Sequence, residues 1–256
     1  MTVACYILGD VHISQAPSGL PAFLERLAAR RPARLVILGD LFEYWIDVAS
    51  MQHAHRPTLA RLRALRAAGW RVDLVRGNRE MVAGRMLAKE FGGRIHWPEL
   101  RFIVAGLRVR VTHGDRLCDD PGHRLLVAGL RGFWFRAWQS CHPPLVQEAV
   151  ARWMRRASRT QRVARYARGA RGARGDGAGR RIDFAPRRLA AALRDTDLLV
   201  TGHLHRRARA RVGGIEHIRV GHWPGRRGNW VEIDIDGSVR VCQSDFAEVP
   251  ARCGSG

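Results

Sequence analysis

Two pairs of potential metal ligands lie near opposite ends of the chain, and the members of each pair are separated by one residue. The first pair is Asp10 and His12, and the second is His203 and His205. Each pair follows a short apolar run and stands beside a glycine. In an extended chain, residues i and i+2 point to the same side, so both side chains of a pair can face one point. Carboxylate oxygens and neutral imidazole nitrogens bind divalent transition metals, so each pair predicts part of a metal site.

Three further residues with ligand side chains hold the same place relative to an apolar run. Asp40, Asn78 and His113 each follow closely on a segment with the length and composition of a buried β-strand. In open α/β folds, ligands gather beyond the carboxyl ends of the strands. A ligand residue at one strand end is a common coincidence, whereas ligand residues at five strand ends predict one shared metal centre.

The combined ligand set contains two aspartates, one asparagine and four histidines, and it contains no thiolate. These are more ligands than one ion needs, and nitrogen and oxygen donors suit two ions of the Mn, Fe, Zn or Co type. Two ions about 3.5–4 Å apart form the usual clamp for displacement at a phosphoester. One carboxylate has to bridge such a pair, and Asp40 is the candidate because it lies mid-sequence among the strand ends. The predicted chemistry is hydrolysis at phosphorus.

Composition and charge indicate a folded protein that is attracted to anions. The chain has 256 residues, of which 46% are hydrophobic, and its net charge is +21. This length suits one large domain, or one domain with a sizeable insertion. The positive charge, almost all of it from arginine, predicts attraction to nucleic acid, an anionic lipid surface or a phosphorylated substrate, and it does not choose among them.

The expected location is the cytoplasm. No run of 18 or more uncharged apolar residues occurs, so we expect no membrane-spanning helix. The first residues lack the charged n-region of a secretory signal. The five cysteines are scattered and show no CxxC spacing, which is typical of reduced thiols.

Apolar periodicity predicts the scaffold that carries the ligands. Helical spacing predicts helices over about 19–31, 52–69 and 81–91, and glycines close the last two. Besides the runs at 6–8 and 197–200, strands are predicted at 34–38, 70–75, 101–105, 107–112, 215–220, 229–235 and 238–243. Strands that alternate with helices, followed by further strands, indicate an α/β protein built around a central sheet.

The ordered motifs resemble the calcineurin-like metallophosphoesterases along the whole chain. They are Gly9-Asp10-Val11-His12, Gly39-Asp40, Gly77-Asn78-Arg79-Glu80, Thr112-His113-Gly114-Asp115 and Gly202-His203-Leu204-His205. The resemblance implies a four-layer αββα sandwich with a helical cap insertion. It also implies that one ion is held by Asp10, His12, Asp40 and His205, and the other by Asp40, Asn78, His113 and His203.

Finer details are similar to one branch, the UDP-2,3-diacylglucosamine pyrophosphatases of lipid A synthesis. The segments 39–45, 77–79 and 113–120 match, and so does a helical insertion between the fourth and fifth motifs. The branch implies cleavage of the UDP-2,3-diacylglucosamine diphosphate into UMP and 2,3-diacylglucosamine 1-phosphate, with Mn²⁺ as the expected metal. Two positions depart from its pattern. Glu80 stands where the branch usually has Asp, and the acidic pair after Trp45 is reduced to Asp47.

Arg79 bears on the type of reaction. Many members of the superfamily have His at this position, where it can donate a proton to an alkoxide leaving group. An arginine keeps its proton near neutral pH but can clamp phosphate. A phosphate leaving group needs no proton, so Arg79 favours cleavage of a diphosphate; the alternative is that Arg79 only pairs with Glu80 or another carboxylate. The predicted catalytic residues are Asp10, Asp40, Asn78, Arg79 and His113.

The chain divides by composition into a core and an insertion. We predict a metallophosphoesterase core of residues 1–121 and 196–256, and a helical, arginine-rich cap at 122–195. Within the cap, a run of arginine and glycine around 168–179 lacks apolar periodicity and predicts a flexible loop. The segment 124–138 carries four large aromatic residues between arginines, which fits either a membrane-interface or lipid-lining helix or an ordinary packed cap helix.

Several residues are predicted to contact the substrate. Ser158 resembles a substrate-contacting serine of the branch, and Asp119 resembles a contact to the sugar or nucleotide; its alternative role is to form a turn before Pro121. Arginines on the predicted cap helix that contains Ser158 can bind the phosphates of the substrate or simply face solvent. The full predicted substrate-binding set is Asn78, Arg79, Asp119, Ser158, Arg159, Arg162 and His203.

The predicted partners are a nucleotide-linked glycolipid substrate and the anionic surface of the inner membrane, approached peripherally through the cap, with no specific nucleic acid. One alternative is a metallophosphoesterase for another nucleotide diphosphate, a phosphomonoester or a nucleic acid. Another is a basic nucleic-acid-binding protein that works through the arginine-glycine run. That run lacks interleaved aromatic residues for base stacking, and the metal ligands would then have no purpose.

Overall fold

The structure, a computed structural model, describes residues 2–13, 18–43, 45, 49–80, 84–118 and 183–246, and the single positions 141, 143, 146 and 149. The strands are β1 (Val3–Leu8), β2 (Arg34–Ile37), β3 (Arg71–Val75), β4 (Arg94–His96), β5 (Glu99–Val104), β6 (Leu107–Thr112), β7 (Leu198–Thr201), β8 (Ala208–Val212), β9 (Ile215–Arg219), β10 (Arg227–Asp234) and β11 (Val239–Asp245). The helices are α1 (Leu20–Ala28), α2 (Ala49–Ala67), α3 (Arg85–Phe91) and α4 (Pro186–Leu193), and a 3₁₀ turn covers Asp115–Leu117.

These strands form two sheets. The first has six strands in the order β11-β10-β1-β2-β3-β4, and β1 to β4 run parallel to one another. The second has five strands in the order β5-β6-β7-β9-β8, with β6, β7 and β9 parallel and the two edge strands antiparallel. In each sheet, the carboxyl ends of the parallel strands therefore meet along one edge.

Side-chain alternation along β1 shows how the layers stack. Cys5 and Ile7 lie between the two sheets, whereas Tyr6 and Leu8 face the helices α1 to α3 on the outside of the first sheet. On the far side, Leu199 of β7 packs against α4. Burying each such Leu or Ile side chain contributes about 1.5–3 kcal/mol. The predicted four-layer αββα sandwich is confirmed.

Most predicted elements are present, with two additions. The three-residue strand β4 is too short to show periodicity. Strand β8 has the sequence Ala-Arg-Ala-Arg-Val, in which arginines alternate with mostly small side chains. Within the described part of the chain, no helix is long and apolar enough to span a membrane.

The cap is mostly outside the described residues, including the aromatic segment 124–138 and the arginine-glycine run 168–179. Helix α4 falls inside the range 122–195 that the sequence assigns to the cap. Its Ala192 and Leu193 nevertheless pack on the second sheet with Leu199. The division of the chain into core and cap remains a prediction.

Candidate metal centre

The predicted ligands follow the carboxyl ends of strands from both sheets. In the first sheet, β1 leads to Asp10 and His12, β2 to Asp40 and β3 to Asn78; in the second, β6 leads to His113 and β7 to His203 and His205. Backbone hydrogen bonds tie the loops together, since Asp10 N donates to Gly39 O at 3.0 Å and Gly202 N donates to His113 O at 3.0 Å. The backbone N–H of His203 donates to Asp10 Oδ2 at 2.8 Å, which joins the two sheets at the site.

One half of the site is formed by Asp10, His12, Asp40 and His205. Each of them offers a ligand atom, and these four atoms lie within 4.8 Å of one another. The Nε2 atoms of His12 and His205 are 3.0 Å apart. His12 Nε2 lies 3.7 Å from Asp40 Oδ2, and His205 Nε2 lies 3.8 Å from Asp10 Oδ1. Such a mixed nitrogen and oxygen set suits a divalent transition metal.

The other half is centred on His113. Its Nε2 lies 2.8 Å from Asn78 Oδ1, 3.3 Å from His203 Nδ1 and 3.6 Å from Asp40 Oδ1. Asp40 therefore presents Oδ1 to this half and Oδ2 to the half that contains His12. That is the position of a carboxylate able to bridge two ions.

The protonation of His113 is fixed by the backbone. Its Nδ1 lies 3.1 Å from the carbonyl oxygen of Leu38, which can only accept a hydrogen bond. The neutral ring therefore carries its proton on Nδ1 and leaves the lone pair of Nε2 pointing toward Asn78 and Asp40. Metal-binding histidines are commonly oriented in this way by a second hydrogen bond.

The backbone at the ligands is strained. Seven described non-glycine residues have a positive φ, and five of them are predicted ligands: Asp10, His12, Asp40, His203 and His205, with φ between 49° and 69°. Residues with a Cβ rarely adopt this left-handed conformation, and its cost concentrates at functional sites. The surrounding fold holds these five side chains in place at the expense of local stability.

Two glycines make room for the carboxylates. A Cβ added at Gly77 would overlap the carboxylate and the backbone nitrogen of Asp40, and a Cβ added at Gly202 would overlap the carboxylate of Asp10. Neither position has a positive φ, so close approach explains the glycines better than backbone freedom.

Glu80 is a structural element of the site to which the sequence assigned no role. It is fully buried, and its carboxylate accepts the backbone N–H groups of Asp40 at 2.8 Å, Gly77 at 2.9 Å and Phe42 at 3.2 Å. These donors belong to the loops that follow β2 and β3. A single side chain thus holds the loop of Asp40 against the loop of Asn78.

Asn229 plays a comparable part on the opposite side of the site. Its buried side-chain oxygen accepts the backbone N–H of Gly221 at 2.9 Å. Its side-chain nitrogen donates to Gly221 O and to His222 O, each at 3.0 Å. The His222 ring consequently lies 5.4 Å from the His205 ring, and Trp223 N donates to Asp10 O at 3.1 Å. The sequence signal for this loop was weak, because it consisted only of a histidine after a predicted strand.

The charges of the site fit a bound cation. Burial, opposed by His113 and reinforced by Asp40, raises the pKa of Asp10 to about 7. Burial and the charge of Glu80 raise the pKa of Asp40 well above its ordinary value. Asp10 Oδ1 is buried and accepts no hydrogen bond. Two adjacent buried carboxylates are unfavourable by themselves, and a divalent ion would compensate both.

The Asn78 amide can serve the site in either orientation. With its nitrogen toward the site it would donate to Asp40 Oδ2 at 3.0 Å and to His113 Nε2 at 2.8 Å, and with its oxygen there it would offer a lone pair to a bound cation.

Arg79 lies beside the predicted bridging carboxylate. Its backbone N–H donates to Asp40 Oδ1 at 2.8 Å, and its Nε lies 4.0 Å from Asp40 Oδ2. The side chain is one-fifth exposed, so it reaches the open side of the site. The remaining predicted substrate contacts, Asp119, Ser158, Arg159 and Arg162, lie outside the described residues.

Proteins of known name share part of this sequence. No protein-family model matches the chain. It is 32% identical over 161 residues to proteins named UDP-2,3-diacylglucosamine hydrolase from Escherichia coli, among them those of strains ED1a and K12 / DH10B. Each alignment covers 61% of this chain and 67% of the relative. The sandwich and its ligands at the strand ends define a hydrolase of the metallophosphoesterase class. Within that class, the chain belongs to the UDP-2,3-diacylglucosamine hydrolase family.

Solved structures align over most of the chain, at low scores. An archaeal phosphodiesterase has a TM-score of 0.46 at 13% identity and covers 94% of this chain and 99% of its own. Vps29 of Entamoeba histolytica in complex with zinc has a TM-score of 0.43 at 15% identity, with coverage of 94% and 98%. Scores this low support no inference about this protein.

Proposed function

We propose that the protein hydrolyses the diphosphate of UDP-2,3-diacylglucosamine, releasing UMP and 2,3-diacylglucosamine 1-phosphate, with two divalent ions, Mn²⁺ being the expected metal. The observation that carries the two-ion assignment is the placement of Asp40, whose two carboxylate oxygens lie 3.6 and 3.7 Å from His113 Nε2 and His12 Nε2. The substrate assignment is supported by the name of the relatives at 32% identity.

The residues present fit two ions. One would be held by Asp10, His12, Asp40 and His205, and the other by Asp40, Asn78, His113 and His203. When bound, such ions act as Lewis acids on the phosphoryl group and lower the pKa of the attacking water. The hydrogen bond from His113 Nδ1 to Leu38 O keeps the Nε2 lone pair available on one side of the site. The positive-φ loops keep Asp10 and Asp40 in place without relying on the ion.

The substrate diphosphate approaches from the side of His205 and His12. The His205 side chain is 40% exposed and that of His12 is 12% exposed, whereas those of Asp10 and His113 are fully buried. The buried groups form the floor of the site, and the open side admits the phosphates.

Arg79 assists the reaction as a fixed positive charge. Its guanidinium lies near Asp40 and is partly exposed, so it can bind a phosphoryl oxygen while its backbone N–H orients the carboxylate. A guanidinium group carries a positive charge and five N–H donors that match phosphate oxygens. It therefore stabilises the departing phosphate electrostatically and does not act as an acid, which suits cleavage between two phosphates.

The proposed setting is the cytoplasmic face of the inner membrane. The acylated substrate resides in that bilayer, and the net charge of +21 favours an anionic lipid surface. Ser158, Arg159 and Arg162 are proposed to contact the substrate from the cap, and Asp119 from the end of the core segment that precedes it. Sedimentation with anionic and with neutral vesicles tests the setting, and equal binding to both would contradict it.

The experiment that tests the substrate is a direct comparison under one set of conditions. Protein loaded with Mn²⁺ is incubated in detergent with UDP-2,3-diacylglucosamine, an unacylated UDP-sugar, p-nitrophenyl phosphate or an oligonucleotide. UMP and sugar 1-phosphate should form fastest from the acylated substrate. Preference for the unacylated sugar, the monoester or the oligonucleotide would contradict the proposal.

A further inference from the structure

Trp97 is an exposed aromatic residue at the same edge of the fold as the metal centre. It follows β4, which runs parallel to β3, so it emerges at the strand edge that also carries Asn78. Trp97 is 48% exposed, whereas Trp45, Trp70 and Trp223 are buried. A half-exposed indole contributes less to the core than a buried one, and its place beside the ligand loops allows it to contact a bound molecule.

The backbone around Trp97 is fixed from both sides. The carbonyl of His96, the preceding residue, accepts the backbone N–H of Arg76 at 3.0 Å. The carbonyl of Pro98, the following residue, accepts the Thr112 hydroxyl at 3.2 Å. Arg76 leads directly to Gly77 and Asn78, and Thr112 directly precedes His113. The backbone that carries the indole is thus tied to the segments that lead to Asn78 and His113, and a backbone held in place costs little entropy when a ligand binds.

Two arginines from these same loops lie over the indole. The guanidinium carbon of Arg76 is 5.6 Å from the ring centroid, and that of Arg116 is 5.3 Å from it. Arg188 holds the backbone near Arg116, since its Nη1 donates to Cys118 O at 2.7 Å. Arg116 itself is exposed. An aromatic face and two positive charges are therefore presented together next to the ligands.

This combination fits a planar aromatic group joined to a phosphate. Bases stack on indole rings, and guanidinium groups bind phosphate oxygens. An acyl chain would gain from the ring but not from the two charges. A sugar phosphate without a base would gain from the charges but not from the ring. A nucleotide uses both.

We propose that Trp97, with Arg76 and Arg116, forms a subsite that stacks the nucleobase of a uridine nucleotide beside the metal centre. The identity of the base rests on the proposed function. The uracil displaces the exposed Arg116 side chain from above the indole, and both guanidinium groups then attract the phosphates toward Asn78 and His113. Trp97 is in this account a binding residue with no part in bond cleavage.

The test compares two probes that share a phosphate and a ribose, UMP and ribose 5-phosphate. Their affinities for the full chain are measured by calorimetry at one fixed Mn²⁺ concentration, for the wild type and for Trp97→Leu and Trp97→Phe. Trp97→Leu keeps an apolar side chain but removes the ring, and it should weaken UMP binding about 5- to 150-fold, the range found for loss of base stacking. Ribose 5-phosphate should bind all three proteins equally, and Trp97→Phe should retain most of the UMP affinity.

A matched control is Ile103→Ala, which truncates another exposed apolar side chain, 72% exposed, and should leave both affinities unchanged. The subsite is overturned if Trp97→Leu binds UMP as tightly as the wild type, or if the wild type binds UMP no better than ribose 5-phosphate. It is also overturned if the substitution reduces only binding to lipid vesicles. These affinities do not depend on turnover. Failure to hydrolyse UDP-2,3-diacylglucosamine would instead contradict the proposed function.

Discussion

Glu80 Oε2 accepts the backbone N–H of Asp40 at 2.8 Å, deep in the floor of the metal centre. The same carboxylate also binds the N–H groups of Gly77 and Phe42. The bridging position of Asp40 between the two halves of the site therefore depends on a side chain that is not itself among the predicted ligands. By binding backbone N–H groups of both loops, Glu80 fixes the position of the loop after β2 relative to the loop after β3.

The first prediction concerns this carboxylate. Glu80→Gln turns an amide nitrogen toward backbone N–H donors, so at least one donor loses its partner in a buried place. The free energy of unfolding should fall by about 1–3 kcal/mol, the usual cost of a buried unsatisfied group. Urea titration measures the change. Mn²⁺ affinity should fall as well, because the loop of Asp40 is released.

The control for Glu80→Gln is Glu90→Gln, which breaks a partly exposed ion pair with Arg63. Such pairs contribute at most about 1 kcal/mol. If the two variants show equal stability and equal Mn²⁺ affinity, Glu80 does not hold the loops.

A second prediction tests the close approach of backbone and carboxylate. Gly77→Ala places a methyl group on the Asp40 carboxylate, and it should reduce Mn²⁺ binding and hydrolysis at least about 10-fold, the range for displaced outer-shell support. Gly106→Ala adds its methyl group to open space and should leave activity unchanged, although its positive φ costs about 1–2 kcal/mol of stability. Activity assays of both variants check the prediction, which fails if Gly77→Ala retains full activity.

A third prediction follows from the burial of Asp10. Without an ion its carboxylate is unfavourable, so Asp10→Asn should make the metal-free protein at least as stable as the wild type. Saturating Mn²⁺ should raise the melting temperature of the wild type, since 100-fold excess over the Kd contributes about 2.7 kcal/mol. The same addition should shift Asp10→Asn much less. Thermal melts with EDTA and with Mn²⁺ test this, and equal metal-induced shifts would exclude Asp10 as a ligand.

A fourth prediction concerns stability against acid, at a site remote from the ligands. Asp73 is fully buried and pairs with Arg34 at 2.8 Å, His96 at 2.7 Å and Arg71 at 3.1 Å. Burial alone would raise its pKa, but the hydrogen bond from His96 and the charge of Arg34 outweigh burial and lower the pKa below 3.8. The stability that Asp73 contributes is fully present above about pH 4, near the pKa of this carboxyl in the unfolded chain. It is lost as the pH falls through the lower pKa that Asp73 has in the folded protein.

Asp73→Asn should therefore lower the free energy of unfolding at pH 7 by about 3–5 kcal/mol, because it leaves Arg34 buried without its counter-charge. It should also flatten the decline in stability below pH 4. Asp197→Asn breaks an exposed pair with Arg108 and should change stability far less. Denaturant titrations between pH 2 and pH 7 measure both variants, and parallel acid profiles for Asp73→Asn and the wild type would refute the prediction.

The sequence predicted which residues lie at the strand ends, because buried strands have a recognisable apolar pattern. Buried strands show as apolar runs, and parallel strands of one sheet bring their carboxyl ends to one edge, so Asp40 and Asn78 could be placed together. His113 follows β6 of the second sheet, and its contact with Asn78 comes from the packing of the two sheets. The spacing argument for the two pairs was wrong in its premise of an extended backbone. Asp10, His12, His203 and His205 all have a positive φ. His203 consequently lies against His113, and His205 against His12.

What sequence could not supply depends on contacts between distant segments. The hydrogen bonds of Glu80, the carbonyl of Leu38 against His113 and the loop held by Asn229 all form between residues remote in the chain. None of these residues has an unusual type or a periodic spacing. The strand β8 was missed because the residues that alternate with its arginines are mostly alanines, which bury too little apolar surface to mark a core strand.

The most direct test of the account is the release of UMP from UDP-2,3-diacylglucosamine by Mn²⁺-loaded wild type and Asp40→Ala, assayed side by side in detergent. Asp40 is the residue that contacts both halves of the site, so its removal should reduce UMP release to background while circular dichroism shows an intact fold. Substantial metal-dependent release of UMP by a folded Asp40→Ala protein would contradict the two-ion centre.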